Sequence, residues 1–220
     1  MPARLDLDRW PRRAHFEFFR RYDLPWFNLC APVDATALRR RSRAPGGPSF
    51  TLAVFHAALA AANQVEPFRY RIRGDAVVVH DRVHGGSTAL RPDDTFAFAY
   101  FDYDPDLDRF AAAARLALDR ARLGAGLVAR PDDDLCHFSV IPWVAFTSVT
   151  NARRLDRGDS VPKIVFGRAH DDAGRWRLPV SVEVHHALMD GLHVDQFIAA
   201  LQAGLDAHRA ADHDDPSDLT

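Results

Sequence analysis

The chain has 220 residues, 47% of them hydrophobic, with 28 basic and 30 acidic side chains and a formal net charge of −2. That length and apolar content suffice for one sizeable core, so a single domain over residues 1–210 is expected, followed by a flexible acidic tail at 211–220. The balanced charge leaves no basic footprint for nucleic acid or an anionic membrane, and no run approaches the roughly 20 apolar residues needed to cross a bilayer. Cys30 and Cys136 lie in apolar, strand-like runs. They are expected to be reduced, buried thiols of a cytoplasmic protein, not a disulfide framework.

In chain order, Arg9 to Tyr22 reads as a short helix crowded with Trp10, His15, Phe16, Phe18 and Phe19, and Phe27 to Val33 as a strand. Asp34 is placed to cap a helix from Ala35 to Arg41, and Ser49 to cap an almost uniformly apolar helix from Phe50 to Ala62. Gly74-Asp75 joins Phe68–Arg73 and Ala76–Asp81 into an antiparallel hairpin. Thr95 to Tyr103 is an alternating strand with Phe96, Phe98 and Tyr100 on one face. Asp104-Pro105-Asp106 opens a helix running to about Leu123. Further strands are expected at Cys136–Ile141, Lys163–Ala169 and Arg175–His185, and a final helix from about Leu192 buries Val194, Phe197, Ile198, Leu201 and Leu205. The sum is an α/β fold, an α+β two-layer sandwich with helices packed on a mixed, largely antiparallel sheet.

The chemistry concentrates at His185-His186-Ala187-Leu188-Met189-Asp190-Gly191, between the alternating run Pro179–Val184 and the last helix. With a period of two, Val180, Val182, Val184 and His186 share one face while Ser181, Glu183 and His185 share the other. Burial beside aliphatic side chains would hold His186 neutral and able to accept a proton, as a general base requires. The same residues also read as a strand-end histidine followed by a turn and helix cap at Asp190-Gly191. A metal site is disfavoured, because adjacent strand residues point to opposite faces and no second ligand pair joins them.

Three separated segments resemble the chloramphenicol acetyltransferases and related CatA-like acyltransferases. His185-His186-Ala187-Leu188-Met189-Asp190-Gly191-Leu192-His193 is similar to the family's HHxxxDGxH motif. Trp10 to Phe19 resembles its opening segment, and Ser139-Val140-Ile141-Pro142-Trp143 its Ser-x-x-Pro-Trp segment. The order and separations match from Trp10 to about Gln202.

The resemblance implies that His186 is the general base acting on an acceptor hydroxyl, with acetyl-CoA as acyl donor, and that the Ser139 hydroxyl bonds the oxyanion. It implies that Asp190 pairs with Arg12 to support the loop of the base, and that Phe18, Phe19, Phe27 and Val165 line the acceptor pocket. A homotrimer with active sites between subunits also follows from it, His186 of one chain facing the pocket of the next, and no metal is implied. The chain departs from family practice at Phe19 in place of a pocket tyrosine, Val165 in place of a threonine, and His137 in place of an asparagine. Ser49, Thr51 and Ala169 stand where lysine and tyrosine contact coenzyme A. The matched residues act on the acyl group, and the altered ones recognise the acceptor, chloramphenicol or a similar hydroxyl compound, and the donor. A dihydrolipoyl-acyltransferase-like enzyme and a non-catalytic small-ligand-binding member of the same fold are the alternatives.

Overall fold

A computed structural model describes residues 2–124, 126–153 and 159–208. The expected tail at 211–220 lies outside them. Ten strands and five α-helices occur among the described residues. In chain order they are β1 (Ala3–Arg4), α1 (Arg13–Phe19), β2 (Trp26–Asp34), α2 (Thr36–Arg43), α3 (Phe50–Gln64), β3 (Tyr70–Arg73), β4 (Ala76–Val79), β5 (His84–Leu90), β6 (Phe96–Phe101), α4 (Leu107–Leu123), β7 (Leu135–Val140), β8 (Lys163–Phe166), β9 (His170–Asp172), β10 (Arg175–His185) and α5 (Gly191–Asp206).

The main sheet runs β2-β10-β8-β7-β5-β6, with β9 paired to β10, and a small sheet runs β1-β4-β3. All pairings are antiparallel except β5 with β7 and β7 with β8. Helices cover one face of the main sheet. α3 is the central one, burying nine of its residues, and Phe55 pins it to three strands by ring contacts with Phe101, Phe138 and Phe166. Each fully buried phenylalanine contributes roughly 1.5–3 kcal/mol, so this cluster fixes the register of helix against sheet.

At β2 and β10 the opposite face is polar and carries contacts to residues that follow β7. Arg153, one of them, bonds Glu183 on β10 and lies 3.2 Å from Asp159, all three mostly removed from water. Asn28 on β2 donates to the carbonyl of Val149 at 3.1 Å, and the Trp26 indole donates to that of Asp159 at 2.8 Å.

Several local expectations change. α1 is shorter than Arg9–Tyr22, because a turn closed by Arg13 N–H to the Trp10 carbonyl precedes it. Phe68 belongs to a 3₁₀ turn (Glu66–Arg69) instead of the hairpin strand. Ser49 precedes α3 without a side-chain cap bond. Cys136 is buried, but Cys30 is exposed because β2 is an edge strand. β5 carries Gly85 and Gly86, which weaken the strand pattern in sequence. Gly85 is needed for packing, because a Cβ there would lie 2.2 Å from the Phe101 ring, whereas one at Gly86 would only crowd Tyr100 at 3.0 Å and His137 at 3.1 Å.

Candidate active site

β10 is the second strand of the sheet, covered on both faces, and every residue from Leu178 to His185 is buried. The burial expected for His186 therefore falls on His185, which is 3% exposed. Desolvation, helped by the nearby Arg153 charge, lowers the His185 pKa to about 4. His186 lies just past the strand and is half-buried. Its backbone N–H donates to the Pro25 carbonyl at 2.7 Å.

The His186 ring is held from three sides. Its Nδ1 lies 3.1 Å from the Met189 carbonyl. A carbonyl only accepts, so Nδ1 carries the proton of the neutral ring and Nε2 keeps the free lone pair. Phe19 stacks on the imidazole with centroids 3.9 Å apart and planes at 21°, and Phe27 lies at 4.8 Å. Phe18 and Tyr22 complete an aromatic cluster around Phe19, with Phe18 58% exposed.

The corner that supplies the Met189 carbonyl is anchored by the next residue. Arg12, at the start of α1, donates from Nη1 to Asp190 Oδ2 at 2.5 Å. Asp190 Oδ1 accepts from Leu192 N–H at 3.2 Å and caps α5. Partial burial by itself would raise the Asp190 carboxyl, but Arg12, with His193 adding to it, outweighs burial and holds the pKa below its ordinary value. Capping and ion pairing thus coexist in one side chain.

Ser139 stands elsewhere. On β7, Cys136, Phe138 and Val140 face the helices, so His137 and Ser139 face the polar side by alternation. Ser139 is level with Val165 on β8, which is level with Ser181 on β10. From Ser181 to His186 is five residues, roughly 17 Å along the strand, with roughly 10 Å more across two strand spacings. One chain therefore brings together His186, Phe18, Phe19, Phe27, Asp190 and Arg12, and separately Ser139 and Val165. It does not bring the two groups into contact.

The Ser139 face carries His137 and, beside it, aromatic side chains to which the sequence assigned no role. His137 is level with Gly86, and Gly86 with Tyr100. Phe98 pairs with Thr88, which by continuation of the β5–β7 register lies beside Ser139. Phe96 and Phe98 are 45% and 37% exposed, so an open aromatic ridge flanks the serine. Their alternation was legible, but not which side of the sheet would be left open. Desolvation, with Lys163 next in size, lowers the His137 pKa to about 4. On the helix side, the face opposite Ser139, an apolar cavity of about 210 Å³ is lined by Thr51, Val54, Val140, Pro142, Arg168 and Ala169, among others. Among the described residues no group of three His, Cys, Asp or Glu side chains is placed to hold a metal, and no helix is long and apolar enough to cross a membrane.

The family model for chloramphenicol acetyltransferase matches residues 2–202. The chain belongs to the chloramphenicol acetyltransferase family. It is 34% identical to the chloramphenicol acetyltransferase of Streptomyces acrimycini over 91% of this chain and 93% of that protein. It is 31% identical to chloramphenicol acetyltransferase 3 of Escherichia coli over 91% and 95%. A solved chloramphenicol acetyltransferase superposes with a TM-score of 0.83 at 30% identity, covering 93% of this chain and all of the other. The dihydrolipoamide acetyltransferase of Azotobacter vinelandii, at 18% identity and a TM-score of 0.66, shares the fold. This member of the family is accordingly an acyltransferase.

Proposed function

We propose that the protein is an acetyl-CoA-dependent O-acetyltransferase that moves an acetyl group to a hydroxyl of chloramphenicol or a similar small acceptor. His186 is the general base and Ser139 the oxyanion donor. The observation that carries this reading is the His186 ring, whose Nδ1 faces the Met189 carbonyl while Phe19 and Phe27 fix its plane. Nε2 takes the proton from the acceptor hydroxyl as its oxygen attacks the thioester carbonyl. The tetrahedral oxyanion is bonded by the Ser139 hydroxyl. Its collapse expels the coenzyme A thiolate, which recovers the proton from the imidazolium. General-base catalysis supplies roughly 10²–10⁴-fold of the rate, and positioning and oxyanion stabilisation supply the remainder.

The separation of His186 from Ser139 within one chain supports a shared site, in which His186 of one subunit faces Ser139 and Val165 of the next in a homotrimer. The exposed Phe18 and the Phe96 and Phe98 ridge are then two aromatic walls that close on an aromatic acceptor from opposite subunits. Asp190 and Arg12 position the base without touching substrate. Each chain contributes to the shared sites from one domain, residues 1–210, of a cytoplasmic enzyme, in keeping with two unpaired cysteines.

Free thiol is followed after mixing enzyme, acetyl-CoA and chloramphenicol. Acceptor-dependent release is expected, and it should vanish in His186→Ala. Release no faster than the acceptor-free control removes chloramphenicol from the proposal, and a panel of small hydroxyl compounds then identifies the acceptor.

A further inference from the structure

His193 closes the motif that begins at His185 and occupies the third position of α5, three residues after Asp190. Its Nδ1 accepts from the Asp190 backbone N–H at 3.2 Å, while the Asp190 side chain caps the helix in return, a reciprocal capping box. That N–H belongs to the same peptide group as the Met189 carbonyl, which faces His186 Nδ1 at 3.1 Å. The group is planar and trans, so its N–H and C=O point in opposite directions. Two imidazoles therefore grip one rigid plate from its two ends. Fixing the N–H fixes the direction of the carbonyl, and an N–H given to a lone pair also polarises the carbonyl into a stronger acceptor.

His193 Nδ1 also lies 2.9 Å from Asp190 Oδ1, and one nitrogen cannot serve both contacts at once. With a lone pair it accepts from the N–H; with a proton it donates to the carboxylate. The carboxylate is already served, Oδ1 by Leu192 N–H at 3.2 Å and Oδ2 by Arg12 at 2.5 Å. The Asp190 N–H has no other acceptor among the described residues, and an unmet donor in this part-buried corner is costly. The lone-pair form satisfies both groups. It leaves the ring proton on Nε2, and His193 lines an open groove with Gln64, Glu66 and Gln196 where water can accept it.

We propose that His193 is a positioning residue for the base: as the Nε2–H tautomer it holds the Met189–Asp190 peptide by its N–H, and that peptide holds His186 as the Nδ1–H tautomer. This rests on His186 as the general base and adds a second, oppositely protonated histidine behind it.

Spectra and kinetics test it separately. In wild-type enzyme labelled at its histidine ring nitrogens, long-range proton–nitrogen correlation at neutral pH should show Nδ1 bare in His193 and protonated in His186, the signals being assigned through His186→Ala and His193→Gln. A His193 ring with its proton on Nδ1 overturns the proposal whatever the acceptor is, because this measurement needs no substrate. In thiol-release assays His193→Ala should lower kcat about tenfold with both KM values little changed, as misplacement of a catalytic group costs rate. Gln is a usual capping-box partner, so His193→Gln should reach the same N–H and return kcat to within about twofold of wild type. A His193→Ala enzyme with wild-type kcat, a loss confined to KM, or a His193→Gln enzyme as slow as His193→Ala overturns the grip and leaves the base assignment standing. A His186→Ala enzyme that keeps its activity overturns that assignment instead. If His193→Ala does not fold, the wild-type spectra and His193→Gln decide.

Discussion

Replacing Asp190 by Asn isolates what its charge does, because the amide oxygen can still accept from Leu192 N–H and cap α5. What is lost is the partner of Arg12, whose Nε and Nη2 are already buried without hydrogen bonds. The two side chains are only 15% and 33% exposed, so solvent replaces the lost bond poorly. The expected cost is about 2 kcal/mol, within the range for a hydrogen bond to a charged group. At roughly 2–4 °C per kcal/mol for a chain of this size, the melting temperature should fall by about 4–8 °C. The functional effect comes through Met189, whose carbonyl precedes Asp190 and holds His186 Nδ1. A loosened corner lets the imidazole turn, and misplacement of a catalytic group by about 1 Å costs up to about 10²-fold. Thermal unfolding and steady-state kinetics on the same preparation read both effects, with kcat expected to fall about ten- to a hundredfold and KM to change little. An Arg12→Ala, Asp190→Ala double variant should lose less than the sum of its singles. An Asp190→Asn enzyme with unchanged melting temperature and kcat would refute the anchoring role.

Further expectations concern catalysis and pH. Ser139→Ala should lower kcat by about 10²–10³-fold, as for removal of one oxyanion donor, with acceptor KM little altered; a loss confined to KM would make Ser139 a binding residue only. Stability should fall as pH drops from 6.5 toward 4. His185 titrates near 4 when folded and near 6.5 when unfolded, so the unfolded chain binds the extra proton across that window, costing about 3 kcal/mol. His137 acts in the same direction. Urea midpoints between pH 7 and 5 check this, and a flat profile would mean that His185 is accessible to water.

The corner that joins His186, Asp190 and Arg12 was legible because its geometry is local. Asp190 must sit at a helix start to cap it, and His186 must follow the strand directly. Helices with unbroken apolar faces, such as α3, were legible for the same reason. What depends on neighbours far along the chain was not. Alternation put His186 on the buried face, but β10 is covered on both faces, so burial follows the strand's end and falls on His185. β5 was hidden because Gly85 and Gly86 break its strand pattern, and Gly85 is dictated by the ring of Phe101 across the sheet. Cys30 was expected inside because its run is apolar, but only the strand order reveals that β2 is an edge. The gap between Ser139 and His186 likewise follows from register across three strands, which no motif encodes.

That gap allows the proposed shared site to be tested by subunit mixing. His186→Ala and Ser139→Ala chains are each inactive or nearly so, but a mixed oligomer contains interfaces where an intact His186 meets an intact Ser139. Random assembly from equal amounts should restore about a quarter of wild-type thiol release if each site draws one residue from each of two chains. Activity in the mixture no higher than the average of the two parents would contradict a catalytic site built from His186 and Ser139 of different subunits.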